Sequence, residues 1–270
     1  MKRVLITGAA GRIGTVLRRG LRESIPILRL TDVIPLGEAR DGEEIARVDL
    51  RDYPSVEAVM HEVDAVIHLG GIPDETHFQS ILETNILGTY NVFEAAKNQG
   101  VKRVIFASSI HSVGFYPREQ KIGPDVPVRP DTYYGVSKTF GESLGSLYAD
   151  KFGLEVVSVR ICSFEERPRN RRHLSTWLSH RDAVQLFSVL LQAKQVHYSI
   201  VYGVSGNSRS WFDNSHAEAL GYRPIDNAET YCEEVIGMTS AATDQDGLAE
   251  KLMGGEFVLR DYGLRKPTRH

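Results

Sequence analysis

Tyr134 and Lys138 stand four positions apart at the start of a predicted helix. Side chains at this spacing lie on one face of a helix. A lysine ammonium beside a phenol stabilises the phenolate and lowers the pKa of the phenol from its usual value of about 10. The pair therefore predicts that Tyr134 acts as a general base towards an alcohol proton. The neighbouring Tyr133 has no such partner, because the residue four positions later is Ser137.

A glycine-rich loop near the N-terminus has the form of a dinucleotide-binding turn. Residues 4–7 read as a buried strand, and Gly8, Gly11 and Gly14 follow it before a predicted helix. Glycines in such a loop allow the tight turn, the approach of a pyrophosphate and the close packing of helix on strand. The free N–H groups of the helix start attract phosphate. The spacing of these three glycines differs from the simplest Rossmann fingerprint. The interpretation as a dinucleotide-binding turn therefore rests on the strand before the loop and the helix after it.

Asp32 ends the second predicted strand, 18 residues after Gly14. A carboxylate at about this distance accepts hydrogen bonds from the adenosine ribose of NAD. It also repels the 2′-phosphate of NADP, so NAD is the predicted cofactor. Two alternatives stay open at this stage: Asp32 as a solvated turn residue, and Arg12 as a partner for a 2′-phosphate.

Short apolar runs alternate with amphipathic stretches through the first part of the chain. The predicted strands cover 4–7, 27–30, 45–48, 65–69, 103–107 and 155–159, and the predicted helices cover 13–23, 54–62, 78–98 and 134–151. Continuous rather than alternating apolar runs are typical of parallel strands that are covered on both faces. The pattern predicts an α/β fold with a doubly wound parallel sheet, a Rossmann fold, with a flavodoxin-like sheet as the alternative.

The alternation breaks after residue 160, which predicts two functional parts. Residues 1–160 form the predicted dinucleotide-binding core, and residues 161–270 form a small C-terminal substrate cap that does not fold independently. Within this C-terminal part we expect a helix at 181–193 and a strand at 199–202. Ser179 is the expected N-cap residue of that helix.

Several segments together resemble a known enzyme family. Residues 7–14, 85–89, 107–109 and 134–138 are similar to motifs of extended short-chain dehydrogenases/reductases, the NAD-dependent epimerase/dehydratase family. Residues 68–72, 108–111, 123–127, 174–177 and 211–214 are similar to uronate dehydrogenases more narrowly. Residues 177–182 and 200–203 are also similar to enzymes that oxidise glucose 6-phosphate with NAD.

The resemblance implies a role for each matching position. The implied cofactor-binding residues are Gly8, Gly11, Arg12, Ile13, Gly14, Asp32, Asp49, Leu50, Leu69, Gly70, Gly71, Asn85, Tyr134 and Lys138. The implied catalytic residues are Tyr134, Lys138 and Ser109, and the implied substrate-binding residues are Ser109, His111, Ser163 and Arg172. Arg172 would bind a sugar carboxylate through its planar fork.

This chain departs from the uronate dehydrogenase pattern at two positions. Ile110 stands where that family has Asn, and Pro73 stands where it has Ser. Each change removes a polar contact to a sugar, so the substrate itself is open to question. The broader superfamily often has its catalytic serine at or beside the position of Ile110, which leaves Ser109 as the candidate and Ser112 as the fallback.

The predicted activity is oxidation of the C1 hydroxyl group of a hexuronic acid to an aldarolactone with NAD. Four arginines fall within residues 167–172, which suits a small anionic sugar. Glucose 6-phosphate oxidation is the first alternative, and a nucleotide-sugar epimerase or dehydratase is the second. A non-catalytic dinucleotide sensor is disfavoured, because it has no reason to keep Tyr134 together with Lys138.

Composition narrows the choice of partners and compartment. The 270 residues carry 32 Lys and Arg against 35 Asp and Glu, a formal charge of −3, which argues against a nucleic-acid partner. No apolar run is long enough to cross a membrane, and no His or Cys cluster has metal-ligand spacing. Two cysteines without a framework favour the cytoplasm. The family resemblance implies a homo-oligomer.

Overall fold

A seven-stranded, entirely parallel sheet forms the centre of the protein. The computed structural model describes residues 1–237 and 247–260. The sheet has the order β3-β2-β1-β4-β5-β6-β9. Its strands are β1 (Arg3–Thr7), β2 (Ile27–Asp32), β3 (Glu43–Arg47), β4 (Ala65–His68), β5 (Arg103–Ser109), β6 (Glu155–Ile161) and β9 (Tyr198–Gly203). The predicted α/β class and doubly wound sheet are confirmed, since the first six strands follow the Rossmann order.

Helices cover both faces of this sheet. The α-helices of the described residues are α1 (Arg12–Gly20), α2 (Tyr53–Ala58), α3 (Phe78–Ile81), α4 (Gly88–Asn98), α5 (Tyr133–Phe152), α6 (His173–Thr176), α7 (His180–Gln192), α8 (Ser215–Ala219), α9 (Cys232–Gly237) and α10 (Leu248–Lys251). α1 packs beside α7 on one face, and α2, α4 and α5 pack together on the other. Over the described ranges, no helix combines the length and the apolar character that crossing a bilayer requires.

Strand β1 shows why apolar runs form this sheet. Val4, Leu5 and Ile6 are all fully buried. Val4 and Ile6 pack in the core on the α1 and α7 face, whereas Leu5 packs in the core on the opposite face. Because alternate side chains enter opposite layers, a continuous apolar run is what a strand buried on both faces requires.

The predicted helix over 78–98 is divided in the structure. A π-helical segment, Leu82–Leu87, separates α3 from α4. Within it, Asn85 Oδ1 accepts a hydrogen bond from Ile72 N at 2.7 Å, and Asn85 Nδ2 donates to Ile72 O at 3.0 Å. Such π-helical turns often accompany functional sites. Apolar periodicity reveals neither this turn nor the contact between Asn85 and the Ile72 backbone.

Two residues set the limits of α5 and therefore the position of Tyr134. The Thr132 side chain caps the helix by accepting a hydrogen bond from Gly135 N at 3.0 Å. Gly153 ends the helix with a φ of 71°, the left-handed conformation that glycine adopts without strain. Tyr134 and Lys138 consequently occupy the first two turns, as predicted from the sequence.

The part of the chain after residue 160 completes the sheet and adds several short elements. A short parallel pair, β7 (Ser163–Phe164) and β8 (Trp177–Leu178), lies beside α6. The predicted cap of α7 is confirmed, because the Ser179 side chain accepts a hydrogen bond from Asp182 N at 3.0 Å. β9 pairs with β6, so residues beyond 160 contribute a strand to the central sheet.

Candidate active site

A cavity of about 670 Å³ lies where the strands of the sheet end. Most of the residues that the sequence singled out line it, namely Gly8, Gly11, Arg12, Ile13, Gly14, Asp32, Asp49, Leu50, Leu69, Gly70, Gly71, Ser109, His111, Tyr134, Lys138, Ser163 and Arg172. The cavity is therefore at the carboxyl ends of β1, β4 and β5, around the point where the strand order reverses. Ligands of doubly wound sheets bind at this point.

The glycine-rich loop is shaped so that side chains would fill it. Gly8 has a φ of 68°, and a Cβ there would come within 2.7 Å of Gly70 N. A Cβ at Gly14 would lie 2.5 Å from Gly8 O. Gly11 has an ordinary extended conformation and precedes the first turn of α1. The loop thus forms a narrow cradle in front of a helix N-terminus, which fits the pyrophosphate of a dinucleotide.

Asp32 holds the end of β2 against this loop. Its Oδ2 accepts a hydrogen bond from Ala10 N at 2.9 Å, and its Oδ1 accepts one from Ile34 N at 3.0 Å. The carboxylate still faces the cavity. It can therefore accept hydrogen bonds from ribose hydroxyl groups as well. The alternative, a solvated turn residue, does not explain why the carboxylate faces the cavity.

Arg12 is directed towards the segment after β7. Its Nη2 donates to Phe164 O at 2.8 Å and forms an ion pair with Glu165 at 2.7 Å. The guanidinium therefore links the glycine-rich loop to the segment after β7. This arrangement weakens the alternative in which Arg12 selects NADP.

Side-chain hydrogen bonds to backbone atoms hold two of the loops that form the cavity wall. Asn85 is buried and does not line it; its hydrogen bonds to Ile72 and to Ser137 Oγ, at 3.2 Å, hold the loop after β4. Leu50 O accepts a hydrogen bond from Asn91 Nδ2 at 2.8 Å, which fixes the loop after β3. Asp49, the residue before Leu50, forms an ion pair with Arg51. This pair keeps the pKa of the Asp49 carboxyl below the usual value.

Tyr134, Lys138 and Ser109 meet at the inner end of the cavity. Tyr134 is buried, and its phenol is hydrogen-bonded to Ser109. Lys138 Nζ lies 5.4 Å from the centroid of the Tyr134 ring and 5.2 Å from that of Phe106. Across the described residues, no carboxylate forms an ion pair with Lys138.

The pKa of Tyr134 differs from the sequence-based expectation. Burial raises it to about 12, and the hydrogen bond with Ser109 opposes that rise. Burial also lowers the pKa of Lys138 to about 8. The predicted lowering by Lys138 is not found: burial has the largest effect on the pKa of the phenol, and Lys138 is itself poorly solvated.

Of the two candidate serines, only Ser109 faces the cavity. Ser112 is fully buried, and its hydroxyl donates to Ser109 O at 2.8 Å. Ser109 instead caps the short 3₁₀ helix Ile110–Val113 by accepting from His111 N at 3.2 Å. The geometry therefore favours Ser109 over the fallback Ser112.

The two departures from the uronate dehydrogenase pattern both reach the cavity. Ile110 is almost completely buried and packs with Val113 and Cys162. Pro73 lies in the loop after β4 and also lines the cavity. Neither side chain offers a hydrogen bond, so this part of the wall is apolar.

Arg172 and Ser163 form the polar side of the site in the cap. Arg172 Nη1 donates to Ser163 Oγ at 2.9 Å, while its Nε and Nη2 donate to Met253 O at 3.1 and 2.6 Å. In the described part of the chain, no acidic side chain forms an ion pair with this arginine. Burial lowers the pKa of Arg172 to about 10, so the guanidinium stays charged at neutral pH. A partly buried cation with this arrangement can bind an anion.

The other three arginines of this loop lie outside the cavity. Arg169 forms an ion pair with Glu165 at 2.8 Å, and the Arg167 guanidinium lies 5.9 Å from the centroid of the Tyr231 ring. Arg171 is exposed. None of these three lines the cavity. Of the four, Arg172 alone is positioned for a substrate.

Sequence reasoning missed several residues of the cavity wall. Phe257, in the 3₁₀ helix Gly255–Leu259, stacks on His111 with ring centroids 3.8 Å apart. Thr84, Glu165 and His173 also line the cavity. No motif marks these positions, since they reach the site only through the folding of the chain. Over residues 1–237 and 247–260, no group of His, Cys, Asp or Glu side chains converges as a metal site would require.

Replacing Asp32 with asparagine is expected to reduce discrimination against NADP. Loss of the negative charge removes both the repulsion of a 2′-phosphate and a charge-assisted acceptor for the ribose. We expect the ratio of kcat/KM for NAD to that for NADP to fall by about tenfold or more, equivalent to about 1.4 kcal/mol. Asp41→Asn, an exposed position outside the cavity, is the matched control. An unchanged ratio would refute the assignment of Asp32.

Comparison with known proteins places this arrangement in a family. The model of the NAD dependent epimerase/dehydratase family matches residues 4–191. A uronate dehydrogenase from Agrobacterium fabrum is 46% identical over 258 residues, covering 96% of this chain and 97% of that protein.

Solved structures agree with this relationship over almost the whole chain. A mutant uronate dehydrogenase from Agrobacterium tumefaciens complexed with NAD has a TM-score of 0.92 at 45% identity, covering 97% of this chain and 98% of that one. A glucuronic acid dehydrogenase from Chromohalobacter salexigens has a TM-score of 0.93 at 41% identity, covering 96% and 97%. This chain therefore belongs to the NAD dependent epimerase/dehydratase family.

Proposed function

We propose that this protein oxidises the C1 hydroxyl group of a hexuronic acid with NAD, giving an aldarolactone, NADH and a proton. The observation that carries the proposal is Arg172, a cation on the cavity wall whose hydrogen bonds go to one carbonyl and one hydroxyl group. It faces the same cavity as Tyr134 and Ser109. A site with both features suits a small sugar that has a carboxylate at one end and an oxidisable hydroxyl at the other.

The glycine-rich loop, Asp32 and the loop after β4 are the proposed cofactor site. Gly11, Arg12 and Ile13 contribute the start of α1, towards which a pyrophosphate is attracted. Asp32 accepts hydrogen bonds from the adenosine ribose, and Lys138 donates to the nicotinamide ribose. When bound, NAD supplies a hydride acceptor and a positive charge on its nicotinamide ring.

Tyr134 is the proposed base for the reaction. The phenolate removes the proton of the C1 hydroxyl group, and the two electrons of the C1–H bond leave as hydride to the cofactor. A carbonyl forms at C1, which makes the cyclic product a lactone. Ser109 hydrogen-bonds to Tyr134 and to the reacting oxygen, so it positions the substrate and stabilises the phenolate. His111, Ser163 and Arg172 hold the remainder of the sugar.

The alternatives fit the cavity less well. Residues 177–182, which are similar to enzymes for glucose 6-phosphate, have structural roles here: Trp177 is buried, and Ser179 caps α7. A nucleotide sugar needs space for a nucleoside diphosphate, whereas Phe257 covers the His111 side of the cavity. A dinucleotide sensor would have no use for a buried tyrosine and lysine beside the cofactor site.

The rate of oxidation is expected to rise with pH up to about pH 8. Burial raises the pKa of Tyr134 to about 12, so each additional pH unit below that value increases the phenolate fraction about tenfold. Above about pH 8 the slope should decrease, because Lys138 loses its charge there. The measurement is kcat/KM for the sugar from pH 6 to pH 9 at saturating NAD. A rate that falls with increasing pH would contradict Tyr134 as the base.

A substrate panel tests the proposed function. Glucuronate, galacturonate, glucose 6-phosphate, UDP-glucose and glucose are each incubated with NAD, and NADH is followed by its ultraviolet absorbance. We expect the two uronates to have the highest kcat/KM, about tenfold or more above glucose, since a charged hydrogen bond contributes about 1.5–3 kcal/mol. NADH formation from glucose 6-phosphate and from neither uronate would replace the proposal with its first alternative.

Self-association through α4 and α5 is the proposed oligomeric contact. Val136 and Leu147, three turns apart on α5, are 41% and 49% exposed, and Tyr90 on the adjacent α4 is 42% exposed. Large apolar side chains that share one face suit a second copy of the same surface. Light scattering should give the mass of a dimer or larger assembly, and Leu147→Glu should reduce that mass. A monomer at micromolar concentration would refute this proposal.

The cytoplasm is the proposed compartment. Cys162 and Cys232 are both free thiols. Free cysteines persist in a reducing environment, where NAD is also available. Fractionation of cells that produce the protein, followed by immunodetection, tests the assignment, and recovery from an oxidising compartment would overturn it.

A further inference from the structure

Asp131 and His111 form a carboxylate–imidazole pair beside the proposed base. Asp131 Oδ2 lies 2.8 Å from His111 Nδ1. The Asp131 side chain is fully buried, whereas 12% of the His111 side chain is exposed. Asp131 Oδ1 accepts a hydrogen bond from Thr132 Oγ1 at 3.0 Å, and Asp131 N donates to His111 O at 3.2 Å. Side chain and backbone together fix the two residues relative to each other.

Two glycines leave the space that the Asp131 carboxylate occupies. A Cβ at Gly114 or at Gly254 would collide with Asp131 Oδ2. Gly254 N donates to Gly114 O at 2.9 Å, so segments that are far apart in the sequence meet around this carboxylate. Larger residues at either position would displace Asp131 from His111.

The pairing determines which imidazole nitrogen carries the hydrogen. A carboxylate accepts hydrogen bonds and donates none, so Nδ1 of His111 is the protonated nitrogen. In the neutral imidazole, Nε2 then has a free lone pair and is an acceptor. His111 lines the cavity, and no residue of the described ranges hydrogen-bonds to its Nε2.

Aromatic contacts fix the orientation of the His111 ring. The Phe257 ring stacks on it at 3.8 Å with an interplanar angle of 20°. The Tyr134 ring meets it edge-on, with centroids 5.8 Å apart. The free nitrogen is therefore held in the wall of the cavity close to Tyr134. Arg172, in the same cavity, offers only donors.

We propose that Asp131 is a positioning residue that holds His111 in the Nδ1–H tautomer, so that Nε2 accepts a hydrogen bond from a hydroxyl group of the sugar. The inference rests on the proposed function and adds to it. Recognition then has two complementary parts, in which Arg172 donates to the carboxylate and His111 accepts from a hydroxyl. A sugar that lacks this hydroxyl group would leave Nε2 unpaired and bind more weakly.

The tautomer can be measured directly by ¹⁵N NMR of the enzyme labelled at histidine. Spectra are recorded at about pH 8 in the presence of NAD, and His111→Gln identifies the signals. We expect the shifts of a neutral imidazole protonated at Nδ1. In Asp131→Asn the amide can also donate, so the proportion of the Nε2–H form should increase. A wild-type ring protonated at Nε2, or at both nitrogens, would overturn the proposal.

A double-mutant cycle separates positioning from general support of the fold. We expect Asp131→Asn to raise KM for the sugar about tenfold, with a smaller change in kcat and an unchanged Kd for NAD. In the His111→Ala background the same substitution should have little further effect. Effects that multiply in the double variant would show that Asp131 acts independently of His111, and the proposal would fail.

Asp150→Asn is the matched control, because Asp150 forms an equivalent pair with His197 at 2.8 Å on the surface. It should leave the kinetic constants unchanged. The NMR measurement needs no sugar, so it decides the tautomer even if neither uronate is a substrate. In that case the cycle uses whichever sugar of the panel reduces NAD, which keeps failure of this proposal distinct from failure of the proposed function.

Discussion

Replacing Tyr134 with phenylalanine is expected to lower kcat by a factor of about 10³. The substitution removes one hydroxyl group and keeps the ring, so packing beside Lys138 and His111 is preserved. A positioned general base contributes about 10²–10⁴ to a rate. Because most of the proposed cofactor site lies in the glycine-rich loop, Asp32 and the loop after β4, the Kd for NAD should change little. Steady-state kinetics with saturating NAD and sugar give the effect.

The neighbouring Tyr133 provides a matched control for this experiment. Its side chain is 45% exposed and packs edge-on against Phe78 at 5.3 Å, outside the cavity. Tyr133→Phe should therefore retain nearly normal turnover. If Tyr134→Phe also retained it, the base would have to be another group.

Replacing Arg172 with alanine is expected to raise KM for a hexuronate by about 10–100-fold. The figure corresponds to loss of a charged hydrogen-bonded contact of about 1.5–3 kcal/mol. Oxidation of glucose, which has no carboxylate, should change much less, so the preference for the uronate should collapse. The comparison of the two substrates matters because Arg172 also holds Met253 O and thereby the segment that carries Phe257.

Arg171→Ala is the control for charge in this loop. Arg171 is exposed and adjacent in sequence, and it lies outside the cavity. The substitution Arg171→Ala should leave KM for the uronate unchanged. Equal losses of uronate and glucose oxidation in Arg172→Ala would mean that the arginine supports the cap and does not bind the carboxylate.

The sheet and the cofactor loop were predictable because their causes are local. Val4, Leu5 and Ile6 are apolar because both faces of β1 are covered. Gly8 supplies the positive φ of the turn, and a Cβ at Gly14 would meet Gly8 O only six positions earlier in the same loop. The pattern of apolar residues and the spacing of glycines in the sequence reflect such constraints directly.

The remaining site features depend on contacts between distant segments. Phe257 reaches His111 across almost 150 positions, and Gly254 reaches Asp131 across more than 120. In the π-helical turn before α4, Asn85 binds the Ile72 backbone thirteen positions earlier. No short pattern in the sequence encodes these contacts, so the sequence did not reveal them.

The electrostatics of Tyr134 also depended on the folded environment. Spacing correctly places Lys138 one turn away, but it gives no measure of how completely both groups are removed from water. Burial moves the pKa of the phenol up and that of the ammonium down. Desolvation therefore dominates, and the phenolate becomes accessible through the hydrogen bond with Ser109 and the positive charge of the oxidised cofactor.

The most direct test of the proposed reaction is transfer of deuterium from C1 of the sugar. Glucuronate deuterated at C1 is incubated with NAD and the enzyme, and both products are analysed by NMR. The proposal predicts singly deuterated NADH and the lactone in equal amounts, with no reaction in Tyr134→Phe beyond its small residual rate. NADH without deuterium, or a product that keeps deuterium at C1, would contradict oxidation at that carbon.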